Sequence, residues 1–232
     1  MKKILVVEDE DTIRDFIVIN LNRAGYDVSE CSCGEDALKL YNEGPHFDVV
    51  ILDVMLPGIN GISVCKEIRK LSSEVGIIIL SAKAQEIDKV TGLMVGADDY
   101  VSKPFSPSEL VARVDSVYRR VAISNTRKEN NFKEKIKLGD FTLNIKNRSL
   151  TKNSNIIELT QVEFQILEYF FSNPNTPLSR SSILKRVWGE HNESDEKIVD
   201  VNIRRLRMKV EDNPSYPKHI VTVWGLGYQW NE

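Results

Sequence analysis

The segment Val49-Val-Ile-Leu-Asp-Val-Met-Leu-Pro-Gly58 holds four apolar residues without alternation, then one carboxylate, Asp53, then a Pro57-Gly58 turn. An unbroken apolar run of this length suits a strand buried on both faces, as in a parallel sheet covered by helices. A charged group at the end of such a strand is expensive to bury unless something compensates it. Ligands in open α/β sheets bind at the carboxyl ends of strands, and Asp53 stands at such an end. Taken alone, the segment fits an aspartate capping a loop as well as it fits a ligand site.

Working outward, 232 residues exceed one typical domain, so two domains are expected. Charge is divided between them. Residues 1–121 hold 14 Lys and Arg against 20 Asp and Glu, and residues 122–232 hold 17 against 14. An acidic half joined to a basic half implies different partners for each. No apolar run approaches the roughly 20 residues of a membrane span. The apolar part of the start, Met1 to Glu10, is too short for a signal peptide. With no export signal, Cys31, Cys33 and Cys65 read as reduced thiols of a cytoplasmic protein. Cys31-x-Cys33 lacks the second ligand pair that a zinc site needs.

Along the first half, short apolar runs alternate with helical periodicity. Ile4–Val7, a run from Val28, Asp48–Leu52, Ile77–Leu80 and Tyr100–Val101 read as strands. Between them, Ile13, Phe16, Ile17, Leu21 and Ala24 recur at helical spacing, with Asp11 as the expected cap and Gly25 as the stop. Glu35–Asn42, Ile62–Leu71 and Ile87–Met94 read as further helices. Ser106-Pro-Ser-Glu109 opens a fifth, with a cap, a proline at the first helical position and a glutamate three after the cap. Five strands alternating with five helices predict an α/β fold, a doubly wound five-stranded parallel sheet with right-handed crossovers.

That fold gathers its strand ends on one edge. Glu8 and Asp9 follow the first strand, Asp53 ends the third, Ser81 the fourth, and Lys103 follows the fifth. Two carboxylates ~4 Å apart repel by about 4 kcal/mol at an effective dielectric of 20. Such a cluster calls for a hard divalent cation, and oxygen ligands near a phosphate favour Mg²⁺. With the cation bound, Asp53 stays ionised and can attack phosphorus to give an aspartyl phosphate. Lys103 can hold one phosphoryl oxygen, and Ser81 can donate a hydrogen bond to another.

With these residues in this order, residues 1 to about 121 resemble the receiver domain of bacterial response regulators. The resemblance implies a sensor histidine kinase as phosphoryl donor and Asp53 as acceptor. It implies Mg²⁺ held by Asp9, Asp53, the Met55 backbone carbonyl, and Glu8 through water, and a cis peptide between Lys103 and Pro104. Ser81 and Tyr100 match the family's switch pair. Glu109, Arg113 and Arg120 lie close to one face of the fifth helix, with Lys89, Asp98 and Asp99 nearby in sequence. Resemblance to the OmpR/PhoB subfamily implies a symmetric dimer on phosphorylation, pairing Lys89 with Glu109, Asp99 with Arg113 and Asp98 with Arg120.

Residues 122–135, including Ser124-Asn-Thr-Arg-Lys-Glu-Asn-Asn-Phe-Lys-Glu-Lys135, read as a flexible linker. Residues 136–232 form the second domain. Short antiparallel strands are expected from Ile136 to Leu159, and Thr160-Gln-Val-Glu163 is a capping box opening a helix. A second helix follows Ser179. A third, about Glu196 to Glu211, has a buried stripe of Ile198, Val199, Ile203, Leu206 and Val210. The other face is expected to carry Lys197, Asn202, Arg204, Arg205, Arg207 and Lys209. Arginine and asparagine read guanine and adenine edges in a major groove. Ile220 to Trp230 reads as a hairpin around Gly225-x-Gly227. Helix then hairpin is the layout of an α+β winged helix-turn-helix domain.

Val199-Asp-Val-Asn-Ile-Arg-Arg-Leu-Arg207 and Val223-Trp-Gly-Leu-Gly-Tyr228 resemble the OmpR/PhoB effector domain. The resemblance implies Asn202 and Arg205 on bases, Lys197, Arg204 and Arg207 on bases or phosphates, and Thr222 and Tyr228 on the DNA backbone. Trp224 stands where many relatives have a wing arginine. The expectation is therefore a phosphorylation-activated, non-enzymatic transcriptional regulator binding tandem half-sites on double-stranded DNA, with RNA polymerase as a further partner. Two alternatives stand beside it. One is a DNA-binding regulator with a degenerate receiver. The other is an aspartate-nucleophile phosphatase, which Met55 disfavours, because such enzymes need a second acid at that position.

Overall fold

The computed structural model describes residues 2–82, 86–126, 135–189 and 196–231, and nothing is described for the side chains of residues 82, 86–90 and 122–126. The chain divides into two compact units, residues 1–121 and 122–232. Most of the segment read as a linker lies outside the described residues.

In the first unit β1 (Lys3–Val7), α1 (Asp11–Arg23), β2 (Asp27–Cys31), α2 (Gly34–Glu43), β3 (Val49–Asp53), α3 (Gly61–Leu71), β4 (Gly76–Ala82), α4 (Glu86–Val95), β5 (Asp99–Lys103) and α5 (Pro107–Thr126) alternate throughout. The strands form one parallel sheet in the order β2-β1-β3-β4-β5. One face is a continuous core of Ile4, Val6, Val49, Ile51, Ile78, Leu80 and Val101. It packs against Ile17 and Leu21 of α1 and Leu110, Val114 and Val117 of α5. All four of Val49–Leu52 are fully buried. Each such side chain contributes about 1.5–3 kcal/mol, enough together to offset the several kcal/mol of burying one carboxylate at the strand's end.

Local signals account for the helix boundaries, with one correction. Ser106 Oγ accepts the Glu109 N–H at 3.1 Å, as its position before Pro107 predicts. Asp11, expected to cap α1, is its first helical residue. Glu10 holds the cap position with no side-chain bond, and the Asp11 carboxylate is taken by Arg14. α5 runs to Thr126, into the segment expected as linker.

The second unit opens with a four-stranded antiparallel sheet of β6 (Lys135–Leu138), β7 (Phe141–Asn144), β8 (Ser149–Lys152) and β9 (Asn155–Ile157). α6 (Gln161–Phe171), β10 (Leu178–Ser179), α7 (Arg180–Trp188), α8 (Lys197–Val210), β11 (Ile220–Val223) and β12 (Gly227–Trp230) follow. The Thr160 capping box forms in full: Thr160 Oγ1 accepts the Glu163 N–H, and Glu163 accepts the Thr160 N–H at 2.8 Å. β11 and β12 form the expected hairpin. The sequence gives no sign of β10, whose two residues pair with β12. Gly227 makes that pairing possible, since a Cβ there would strike the Leu178 carbonyl, and its φ of 152° suits glycine.

The tightest approach beneath the acidic edge is at Gly61, where a Cβ would collide with the backbone oxygen of Asp53. Gly61→Ala is expected to lower the stability of the first unit by about 1–3 kcal/mol, the usual range for overpacking. Urea unfolding followed by far-UV circular dichroism checks this, and an unchanged midpoint would show that α3 can move freely from the strand end.

Candidate functional site

The strand order reverses direction between β1 and β3, and a crevice opens at such a switch point. Glu8 and Asp9 lie just beyond β1, and Asp53 is the last residue of β3. Oxygen atoms of the three lie within 4.8 Å of one another. Glu8 is fully buried and Asp53 only 5 % exposed, while Asp9 is open to solvent. Lys103, at the end of β5, reaches across the crevice. Its Nζ is 2.7 Å from Asp53 Oδ2 and 2.7 Å from Glu8 Oε2. Asp53 Oδ1 accepts the Met55 N–H at 3.2 Å, which fixes the carboxylate's plane. The Lys103–Pro104 peptide is cis.

Burial is the main reason that the Glu8 carboxyl is pushed up from 4.5 to about 7; Lys103 opposes the rise and Asp53 adds to it. For Lys103, burial works against the charge, but hydrogen bonds to Asp53 and Glu8 outweigh it and hold the ammonium above its ordinary range. One cation thus serves a cluster of three acids. An oxygen-only donor set with surplus negative charge fits a hard divalent cation such as Mg²⁺. Ser81 is fully buried, and its hydroxyl has no hydrogen-bond partner among the described residues. Buried hydroxyls are rarely left so. Tyr100 pairs with Ile79 across β4 and β5, which puts the half-buried Tyr100 on the same sheet face as Ser81, one diagonal away.

Among the described residues, the charged groups expected at a dimer face have partners within one molecule. Arg113 pairs with Asp99 at 3.3 Å and with Glu109 at 3.2 Å. Asp98, 1 % exposed, is held by the Arg69 guanidinium at 2.5 Å and by the Ile77 N–H at 2.8 Å. Arg120 is 4 % exposed and lies 3.5 Å from Ser116 Oγ. Lys89 belongs to α4, but its side chain lies outside the described residues. No local sequence pattern marks Arg69, since its partners come from the loops before β4 and β5.

On α8 the structure corrects two expectations. Asn202 is fully buried and Arg205 is 4 % exposed, so neither can reach a base edge. Ile198, Asn202, Arg205 and Lys209 follow i, i+4, i+7 and i+11 spacing and form one stripe facing α6. Asn202 donates to the Ile198 carbonyl and accepts from Arg205 Nη1 at 3.1 Å. Arg205 Nη2 lies 2.9 Å from Glu163 Oε1, and Lys209 Nζ lies 2.7 Å from Glu163 Oε2. Burial alone would raise the Glu163 carboxyl, but Arg205 and Lys209 hold it below its ordinary range.

Lys197 and Arg204 are exposed, as expected. Arg207 is half-buried and donates to the Ile220 carbonyl at 2.8 Å and to Thr222 Oγ1 at 2.9 Å, tying α8 to the hairpin. The Tyr228 hydroxyl donates to Asp200 at 2.7 Å, and Arg180 pairs with the same carboxylate at 2.7 Å. Asp200, the one acid on this face, is therefore a structural anchor. Trp224 stands 91 % exposed at the hairpin's tip, beside an exposed Leu226.

Two family descriptions match the chain: the response regulator receiver domain over residues 4–115, and the C-terminal region of transcriptional regulatory proteins over residues 153–230. A probable transcriptional regulator, ycf27 of Cyanidium caldarium, is 44 % identical over 231 residues, covering 97 % of this chain and 92 % of the relative. The structure of response regulator DrrB, a Thermotoga maritima OmpR/PhoB homologue, is 32 % identical with a TM-score of 0.51 over the whole of both chains. A RitR mutant shares the fold over the whole of both chains, at 24 % identity and a TM-score of 0.79.

Two outcomes follow from these geometries. Glu8 binds more protons folded than unfolded between its ordinary and raised values, so metal-free stability of the first unit falls as pH rises from 4.5 to about 7. Saturating Mg²⁺, which favours the ionised acid, should flatten that fall in calorimetric scans; a metal-free transition independent of pH would contradict it. In the second unit, Arg205→Met leaves Glu163 buried with a single cation and should lower stability by roughly 3–5 kcal/mol. Arg204→Ala should leave stability unchanged, and tryptophan-monitored denaturation separates the two, because all three tryptophans lie in this unit.

Proposed function

This chain belongs to the response regulators of the OmpR/PhoB type, and from that premise we propose that Asp53 accepts a phosphoryl group from the phosphohistidine of a sensor kinase. A carboxylate oxygen of Asp53 attacks phosphorus. The P–N bond breaks, and its electron pair stays on the imidazole. Lys103 already touches Asp53, so its ammonium can follow an oxygen of the transferred group. Ser81 donates its uncommitted hydroxyl to a second oxygen. Glu8, Asp9, Asp53 and the Met55 carbonyl would hold Mg²⁺, which when bound neutralises the charge gathering on the phosphoryl oxygens. The observation that carries this reading is one ammonium bridging two buried acids beside a buried hydroxyl with no hydrogen-bond partner among the described residues.

The phosphoryl group adds about −1.5 to −2 charges. It shifts the receiver toward a state with Ser81 drawn to the phosphoryl group and Tyr100 turned inward. In that state two copies pair through α4, β5 and α5, with Arg113 exchanging its own Asp99 for a second copy's and releasing Glu109 to the second copy's Lys89. Two effector domains are then held together on tandem half-sites of duplex DNA about one helical turn apart, and the second binds at a raised local concentration. Lys197 and Arg204 meet DNA from the exposed face of α8. Arg207, Thr222 and Tyr228 act mainly by fixing the hairpin to that helix. The domains are a receiver over residues 1–121 and an effector over 136–232, joined by a linker.

Asp53→Asn tests the core of this. A radiolabelled small-molecule phosphoryl donor with Mg²⁺ should label the native chain and not the variant, and should raise DNA affinity only in the native chain. Label retained by the variant would place the acceptor elsewhere. In gel-retardation titrations at a series of salt concentrations, Arg204→Ala should reduce the salt slope of binding by about 0.9 if this side chain meets one phosphate.

A further inference from the structure

The two acids on the β1–α1 turn are held by a residue that no motif marks. Arg14, in the first turns of α1, sends its guanidinium back over the turn. Nη1 donates to the Glu8 carbonyl at 2.8 Å and makes a longer contact of 3.5 Å with the Asp9 carbonyl. Nη2 is bonded to Asp11, and Nε lies 3.9 Å from Glu30 Oε2. On its other side the turn is fixed by the Glu8 N–H, which donates to the Cys31 carbonyl at 3.1 Å. Glu8 is thus clamped through both its backbone groups, by β2 and by Arg14.

An ordinary helix-surface ion pair does not account for this arrangement. The Arg14 side chain is 15 % exposed and its partner Asp11 84 % exposed, and pairs with so wet a partner contribute about 0–1 kcal/mol. The Glu8 carbonyl, by contrast, is met in a partly buried setting by Nη1, while Nη2 of the same planar group is anchored on Asp11. Asp11 and Glu30 also compensate the guanidinium's charge. A bare cation this close to the acids would oppose a divalent ion. A compensated one can hold the turn without that repulsion.

We infer that Arg14 is a positioning residue for the cation site: by tying down the Glu8 and Asp9 carbonyls, it presents their carboxylates to Mg²⁺ in a preformed arrangement. This rests on reading Glu8, Asp9 and Asp53 as a Mg²⁺ site. Ordering ligands before the ion arrives lowers the entropy lost on binding. Outer partners of metal ligands typically account for 10–100-fold in affinity. Arg14 acts through backbone, so about tenfold, the lower end of that range, is expected.

The test is calorimetric titration of the full chain with Mg²⁺, for the native protein, Arg14→Met and Arg14→Lys. Both variants should bind about tenfold more weakly, because lysine keeps the charge but its single nitrogen cannot bond the turn's carbonyls and Asp11 at once, as Nη1 and Nη2 of Arg14 do. Phosphorylation should need more Mg²⁺ for half-saturation while keeping its native rate at saturation, a split that general loosening of the fold would not give. Native affinity in both variants, or in Arg14→Lys alone, overturns the inference; the latter would make Arg14 a charge effect. If Arg14→Met does not fold, Arg14→Lys carries the comparison. Absence of Mg²⁺ binding to the native protein would overturn the underlying reading of the acids, a result distinct from native-like binding by the variants.

Discussion

Three carboxylates brought to one crevice, with a single ammonium to balance them, are the constraint on which the first unit depends. Their repulsion is not relieved by distance, since the parallel sheet fixes where β1 and β3 end. It is relieved partly by Lys103, partly by the raised pKa with which buried Glu8 resists losing its proton, and otherwise by whatever cation enters. The apolar wall of β3 makes the imbalance persist, because it keeps water from screening Asp53 and Glu8. A site left short of positive charge in this way is suited to a divalent ion and to a transfer in which negative charge moves. Stability and function pull against each other here, and the buried strands supply the surplus that makes the conflict tolerable.

The second unit is organised by a different carboxylate. Glu163 closes the capping box of α6 and receives Arg205 and Lys209 from α8. One side chain therefore sets both the start of one helix and the roll of another about its axis. Rolling α8 this way turns Asn202 inward and leaves Lys197 and Arg204 outward. Arg207 and Asp200 then fasten the hairpin to α8, so helix and wing are tied to each other by side-chain hydrogen bonds. A DNA-reading surface gains from such rigidity, since contacts made by pre-ordered elements lose less entropy on binding.

Much of this was legible in the sequence. Unbroken apolar runs separated by helical periodicity give the parallel sheet, because strand and helix periods are properties of the local chain. The acids at the ends of β1 and β3, and the lysine that ends β5, were legible too, since strand order alone sends them to one edge. The Thr160 capping box and the Gly225-x-Gly227 hairpin are likewise local chemistry, complete within a few residues.

What sequence could not supply is which of two similar faces turns inward, and which of several ions meets which. Asn202 and Arg205 read as surface because polar residues usually are, yet a single acid from another helix makes their burial favourable. Asp98 is taken by Arg69, 29 residues before it, and Arg14 reaches back over the turn that precedes its helix. β10 is too short to leave a pattern and exists only because Gly227 admits its backbone. Period and composition determined the elements, their order and the acidic edge, because those follow from each residue's near neighbours. The ion partners and the roll of α8 were decided only in the folded chain, where charge is paired by distance in space and not by distance along the chain.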